Sequence, residues 1–257
     1  MARNVFVTVG SIPSTNPLID SGTPGGVQPV GLSGYTLAFS DEFNGSTLNA
    51  LKWDTHYPDT WPGFTSQSPG GYRTNTGGAD ACQDDHVALN GTGSVILTNE
   101  KLVTITGLPY TSGTITSLKS YTADYGVYEA RMRTSGYATG FWPAFWMSSS
   151  AYDSWNAEFD IFEEFGAGTY ENNVYRAGSG WFNSGDMANT NTAWHTYSVR
   201  WTSGGVWFYR DGAQTATATA PTKQSMYILF DTATQASMSP SYTGPYTLEV
   251  DYVRAWV

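Results

Sequence analysis

Eight residues, Ala157-Glu158-Phe159-Asp160-Ile161-Phe162-Glu163-Glu164, constrain this chain more than any others. They place four carboxylates in a run otherwise made of Phe, Ile and Ala. An ionised carboxylate buried without a partner is costly, so the run is not ordinary core. It is short, aromatic and β-branched with a period near two, which predicts a strand. On a strand Glu158 and Asp160 share a face, and strict alternation sends Glu163 to the other. One residue bulged out at Ile161–Phe162 returns Glu163 to the first face, and bulges re-aim side chains beside active sites. Across a concave sheet the two glutamates then lean together. A retaining glycosidase needs that arrangement, with carboxyl groups about 5–5.5 Å apart, one attacking the sugar and the other protonating the leaving oxygen. Asp160, between them, is placed to share a proton or hydrogen-bond the nucleophile, and crowding drives the pKa values apart. The competing reading is the solvated polar face of an edge strand.

Composition narrows the field. The 257 residues are 15% aromatic but only 13% charged, against about 25% charged in average soluble domains. Many aromatics with few charges suit a sheet protein that contacts an uncharged ligand such as a sugar. The net charge of −10 argues against nucleic acid or an anionic membrane as partner, since both need a basic footprint. It also weighs against a sulfated substrate. Cys82 is the only cysteine, which excludes an intrachain disulfide and a thiolate metal cluster; it reads as a small buried hydrophobe. His56, His86 and His195 show no metal-ligand spacing. No apolar run is long enough to span a membrane, and the first ten residues lack a signal-peptide core. The expectation is a monomer acting outside the cell or at its surface, with a leader trimmed off, export by another route, or membership of a larger assembly.

Residues 1–34 are rich in Ser, Pro, Gly and Thr and read as an extended arm or linker, with the domain proper over 35–257. From Tyr35 the chain is strand after strand. Ser94–Thr98 and Lys101–Thr106 predict a hairpin around Asn99-Glu100. Gly113–Lys119, Tyr125–Arg133, Trp194–Trp201, Val206–Arg210, Met226–Asp231 and Thr247–Val257 are further strands, with Thr202-Ser203-Gly204-Gly205 as a hairpin turn. In Tyr125–Arg133, Val127, Glu129, Arg131 and Arg133 face one way and Tyr128, Ala130 and Met132 the other. No helical period is evident, so the fold class is all-β, a sandwich of two sheets. The segment Tyr57–Asp85 has no clear strand pattern and carries Trp61, Phe64, Tyr72 and Arg73. A loop of that length in a compact domain is usually functional, and it reads as one wall of a cleft.

Several blocks together resemble glycoside hydrolase family 16, the laminarinase, agarase and carrageenase clan. They are Ser40-Asp41-Glu42-Phe43-Asn44-Gly45, Gly113–Ser117 followed by Tyr125–Arg131, Gly140-Phe141-Trp142-Pro143-Ala144-Phe145-Trp146-Met147, Trp194–Tyr197 with Phe208–Gly212, and Asp251-Tyr252-Val253-Arg254. The resemblance implies a β-jelly-roll of two antiparallel sheets with an open concave substrate cleft. Glu158, Asp160 and Glu163 fit the longer, bulged E-x-D-x-x-E form of the family signature. It makes Glu158 the nucleophile, Glu163 the general acid/base and Asp160 the residue that tunes the nucleophile. Glu164 falls outside the signature and reads as a surface or supporting group. The same resemblance assigns Trp142 and Trp155 to the sugar, and Trp146 either to the sugar or to the core; Trp181, which follows the signature strand, and Arg73, in the Tyr57–Asp85 segment, are read as further sugar contacts.

Two departures bear on the substrate. The strand after the signature carries Asn173–Trp181 where laminarinases usually place a histidine, and Ile228–Gln235 replaces an LNLAVGG-like block. The resemblance also implies a structural calcium on the convex side, held by Glu42, the carbonyl of Gly45, and Asp251, with no cofactor for catalysis. The expected function is endo-acting, retaining hydrolysis of a β-linked polysaccharide, first a β-1,3-glucan of laminarin type. The alternatives are a β-agarase or other galactan hydrolase, a non-catalytic carbohydrate-binding module, and a structural module of a larger particle.

Overall fold

The computed structural model describes residues 16–55, 57, 64–66, 71–73, 78–103, 107–149, 156–188 and 192–257. In chain order its strands are β1 (Leu37–Asp41), β2 (Phe64–Ser66), β3 (Gly71–Arg73), β4 (Asp80–Cys82), β5 (Val87–Leu89), β6 (Val95–Asn99), β7 (Tyr110–Ser112), β8 (Thr114–Thr116), β9 (Gly126–Thr134) and β10 (Phe141–Ser149). They continue with β11 (Ala157–Glu164), β12 (Thr169–Arg176), β13 (Gly180–Asn183), β14 (Met187–Ala188), β15 (His195–Thr202), β16 (Gly205–Arg210), β17 (Ala213–Ala218), β18 (Met226–Thr234) and β19 (Tyr246–Trp256). The outer sheet runs β17-β16-β15-β9-β19-β6-β5, with β1 also on β19. The inner sheet runs β13-β12-β11-β10-β18-β8, with β14 also on β12. A small sheet β2-β3-β4-β7 completes the fold; its β4–β7 pair is parallel, while every pair in the two large sheets is antiparallel. This is the jelly-roll sandwich expected from the sequence.

Alternation explains the layering. Phe145, Met147, Phe159, Val174, Ile228 and Phe230 of the inner sheet meet Leu97, Tyr128, Met132, Val199, Trp201 and Val250 of the outer sheet in one core. Phe145 stacks on Phe230 with centroids 4.6 Å apart, and Phe159 meets Trp201 edge-on at 5.2 Å. Such pairs add about 0.5–1.5 kcal/mol each beyond their buried area. The intervening residues of the same inner strands, among them Trp142, Trp146, Glu158 and Asp231, face the other way and form the concave surface.

Two expectations are corrected, the Asn99-Glu100 hairpin and the strandless Tyr57–Asp85 segment. The hairpin around Asn99-Glu100 does not form: β6 pairs with β5 and with the distant β19, and Glu100 bridges Thr111. A β-branched run identifies a strand but not its partner, and Lys101–Thr106 contributes no strand among its described residues. Over 16–34 the Pro/Gly/Ser-rich arm is hydrogen-bonded to the strands it precedes. Leu18 O accepts from Ser40 N, Val27 O accepts from Trp256 Nε1, and Val30 N donates to buried Glu129 Oε2 at 3.0 Å. Finally, the Tyr57–Asp85 segment contains three short strands.

One glycine after the catalytic strand is required by close backbone packing. Gly166, just after β11, has φ +80°, and a Cβ there would lie 1.7 Å from the carbonyl oxygen of Ala138. Phe165, its neighbour, packs on Trp142 with centroids 5.4 Å apart. Gly166→Ala is expected to lower the melting temperature by about 5 °C or more, because the strained backbone and the collision with backbone add. A thermal melt within 1 °C of wild type would contradict this.

Candidate active site

The site is built on a bulge. From β10 the register is Ala144↔Glu163, Phe145↔Phe162, Trp146↔Asp160 and Ser148↔Glu158, so Ile161 has no partner. From β12 it is Asn173↔Asp160 and Glu171↔Glu163, so the slip lies at Ile161–Phe162, as expected from the sequence. Both bulged residues are buried in the core. At the bulge, buried Asn172 Nδ2 donates to the Ile161 carbonyl at 2.7 Å. Asn172 in turn accepts from Thr215 Oγ1 at 2.8 Å. A buried carbonyl left without a donor would cost about 1–3 kcal/mol, so this amide holds the bulge.

The bulge delivers Glu158, Asp160 and Glu163 to one chamber, lined also by Trp142, Ala144, Trp146 and Asp231. Glu163 Oε1 accepts from Trp142 Nε1 at 2.8 Å and Oε2 accepts from Asn173 Nδ2 at 2.6 Å. Burial is the main force on its acidity and raises its pKa. The two donors pull the other way, Glu171 and Asp231 add to the rise, and the result is a pKa pushed up to about 7. Burial, followed by the neighbouring Glu163, Glu158 and Asp231 carboxylates, holds Asp160 well above the usual carboxylate range. At neutral pH the chamber therefore keeps a proton among its acids, as general acid catalysis requires.

Aromatic side chains extend the site along the sheet. Glu158 pairs with Tyr175 on β12, and Tyr175 with Trp181 on β13, so the three form one cross-strand row on the concave face. Trp181 is 51% exposed and its ring lies 5.2 Å from that of Tyr175. Two strand spacings put it about 10 Å from the Glu158 strand. Trp142 is partly exposed at the chamber wall. Trp146 is only 5% exposed, packs against Tyr57 and donates Nε1 to Asp231 at 2.8 Å, so it forms floor rather than an open stacking face. Trp155 and the side chain of Arg73 lie outside the described residues. Of the two readings of Glu164, burial overturns the surface one: it is fully buried, on the face opposite the cleft. Cys82 is buried as expected, and burial pushes its thiol up to about 12, which makes it inert.

The residues assigned to calcium do not fit an oxygen cage as arranged. Glu42 accepts from Arg254 Nε at 2.8 Å and Nη2 at 2.7 Å, and from Thr23 Oγ1 at 2.9 Å. Asp251 accepts from Arg131 Nη1 at 2.6 Å. Gly45 lines a separate cavity of about 660 Å³ with Asp20, Asp41 and Lys52. Two carboxylates occupied by guanidinium groups do not offer the converging oxygens that calcium takes. Among the described residues no group of three or more His, Cys, Asp or Glu could hold a metal.

Four residues escaped the sequence reading: Asn172, Asn173, Asp231 and Tyr57. Asn is depleted in strands, so the Asn172-Asn173 pair inside a strand was a usable signal. Asp231, closing the apolar run Ile228-Leu229-Phe230, carried the same warning as the octapeptide.

The family model of glycosyl hydrolases family 16 matches residues 82–247, more than half of the chain and including the whole chamber except Tyr57. The chain belongs to glycosyl hydrolases family 16. The endo-1,3-1,4-beta-glycanase ExsH of Rhizobium meliloti (strain 1021) is 31% identical over 163 residues, 59% of this chain and 34% of that protein. Glucan endo-1,3-beta-glucosidase A1 of Niallia circulans is 27% identical over 284 aligned positions, 93% of this chain and 40% of that protein. The family 16 chain thus spans about a third to two fifths of the length of these relatives. Among solved structures, a mutant of SCLam, a non-specific endo-beta-1,3(4)-glucanase, matches with TM-score 0.73 and 20% identity, covering 88% of this chain and 96% of that one. That likeness shows the shared fold. No described helix is long and apolar enough to cross a membrane.

Proposed function

We propose that this domain is an endo-acting, retaining hydrolase of a β-linked polysaccharide. The observation that carries the reading is the bulge at Ile161–Phe162, which sets Glu158 and Glu163 of one strand in one chamber. Glu163, protonated near neutral pH, gives its proton to the glycosidic oxygen as that bond breaks. Glu158 attacks the anomeric carbon and forms a glycosyl ester. Glu163, now a carboxylate, takes a proton from water as the water attacks the ester, and the sugar leaves with net retention. Asp160, the acid between them, holds a proton beside the nucleophile. The glycan lies across the concave strands, over the row Glu158–Tyr175–Trp181.

The preferred substrate is a β-1,3-glucan, alone or with β-1,4 linkages. The two curated relatives are named for those linkages, and the block holding Trp142 and Trp146 resembles laminarinases. Incubation with laminarin, mixed-linkage glucan, agarose and carrageenan should yield new reducing ends from the glucans, with a rapid fall in viscosity from endo-cleavage. Release from none of the four rejects the hydrolase; release from agarose alone moves the substrate to a galactan.

Trp181→Ala tests the platform. The exposed stack should contribute about 1 kcal/mol to binding. KM for long oligosaccharides is expected to rise about five- to tenfold with kcat changed less than twofold. An unchanged KM would remove Trp181 from the cleft.

A further inference from the structure

The double-displacement reading above, on which this inference rests, needs the extra residue of β11 to stay where it is. We propose that Asn172 is a positioning residue for the acid/base: fixed by Thr215 of the opposite sheet, it keeps the bulge at Ile161–Phe162 and so keeps Glu163 facing the sugar.

Register places the parts. Between the pairs Asn173↔Asp160 and Glu171↔Glu163, the two residues Ile161 and Phe162 oppose Asn172 alone. Asn172 is 2% exposed, and its side chain reaches between the sheets. Nδ2 donates to Ile161 O at 2.7 Å, and Oδ1 accepts from Thr215 Oγ1 at 2.8 Å. The backbone is pinned on its other edge: Asn172 N donates to Ser184 Oγ at 2.9 Å, and Asn172 O accepts from Ser184 N at 3.0 Å. Its neighbour Asn173 points the other way, into the cleft, and donates to Glu163 Oε2 at 2.6 Å.

Thr215 is itself displaced from a regular ladder. Phe208 pairs with Ala216 and Tyr209 with Gln214, so Thr215 is the extra residue of a bulge in β17. Ala216 packs against the inter-sheet core, and the bulge lets the Thr215 hydroxyl reach the same interior. A bulge of the outer sheet and the bulge of the catalytic strand thus meet at one amide.

The consequence is selective. Glu158 and Asp160 precede the bulge, in the register Ser148↔Glu158 and Trp146↔Asp160. Glu163 follows it, so Glu163 alone among the three depends on the extra residue for its face. If that residue slips past Glu163, alternation turns the acid away from Glu158. Loosening Asn172 therefore weakens proton delivery to the glycosidic oxygen and spares the nucleophile. Neither Asn172 nor Thr215 lines the chamber, so their effect on the sugar is indirect.

The test uses Asn172→Leu, close to asparagine in shape but without hydrogen-bonding atoms, and Thr215→Val, which exchanges the hydroxyl for a methyl. On polysaccharide, Asn172→Leu is expected to lower kcat about 30- to 100-fold and Thr215→Val about three- to tenfold, with KM within about twofold of wild type. On an aryl glycoside with an acidic phenol, both should release phenol in the first turnover within about threefold of wild type, because that departure needs no proton. The double variant should lose no more than Asn172→Leu alone, since Thr215 acts through Asn172. Equal losses on the two substrates would overturn the proposal, because a general loosening of the fold spares neither. Wild-type rates in both variants would overturn it too. If Asn172→Leu does not fold, Thr215→Val carries the same outcomes. Absence of turnover by wild type would reject the hydrolase reading instead. Carbon-13 carboxyl NMR then still reads the place of Glu163, whose acidity is set by burial and by its donors Trp142 and Asn173. Its titration midpoint should move by about 0.5 pH units or more in the folded variants, and an unmoved midpoint would remove Asn172 from the positioning of the acid.

Discussion

Glu158→Gln is expected to lower hydrolysis by about 10⁴-fold or more while leaving the fold and glycan binding intact. The amide matches the carboxylate in size but cannot form the glycosyl ester. Glu158 sits in the cross-strand row with Ser148 and Tyr175, away from the inter-sheet core, so the change removes no core packing. The result should be a binding protein that holds oligosaccharide without turning it over. Calorimetry with a substrate oligosaccharide and a reducing-end assay check both halves. Undiminished turnover would reject Glu158 as the nucleophile. Loss of binding together with activity would point to a structural role.

Glu163→Gln should separate stability from activity. The folded protein holds the Glu163 pKa near 7, whereas an unfolded chain has it near 4.3. Between those pH values the native state keeps a proton that the unfolded state releases, so stability falls as pH rises through this window. Above pH 7 the full penalty is present; below pH 4 both states are protonated and it vanishes. The glutamine carries no such penalty. Relative to wild type, Glu163→Gln should gain about 2 kcal/mol at pH 8 and nothing at pH 4, visible as a melting difference that grows with pH. Activity should fall by about 10²–10⁴-fold on polysaccharide. On an aryl glycoside with an acidic phenol, whose departure needs no proton, the first step should be largely spared. Equal melting temperatures at pH 8 would contradict a raised Glu163, and equal loss on both substrates would contradict its role as the acid.

Much of the site was legible because its residues break the rules of ordinary strands. Carboxylates in a Phe/Ile run located the strand, and the extra residue between Asp160 and Glu163 located the bulge, which the β10 and β12 registers both show. What supports the bulge was less visible. Asn172 and Asp231 act through partners far along the chain, Thr215 for one and Tyr57 for the other, and no local pattern announces such a bond. Strand identity likewise did not give strand pairing: Val95–Asn99 was recognisable, but its partner β19 lies about 150 residues away. The contacts of the arm were illegible for a related reason. Its Pro and Gly content describes chain stiffness, whereas its docking rests on contacts to Ser40, Glu42, Trp256 and Glu129 that composition does not record.

All of this rests on one kink in one strand bringing its two glutamates to bear on the same anomeric carbon, one forming a bond to it and the other serving the departing oxygen. Proton NMR of the sugar released in the first minutes of digestion, before mutarotation, reads that directly. The β-hemiacetal should appear first; an initial α-hemiacetal would mean that water attacks in a single step and that Glu158 never bonds to the sugar.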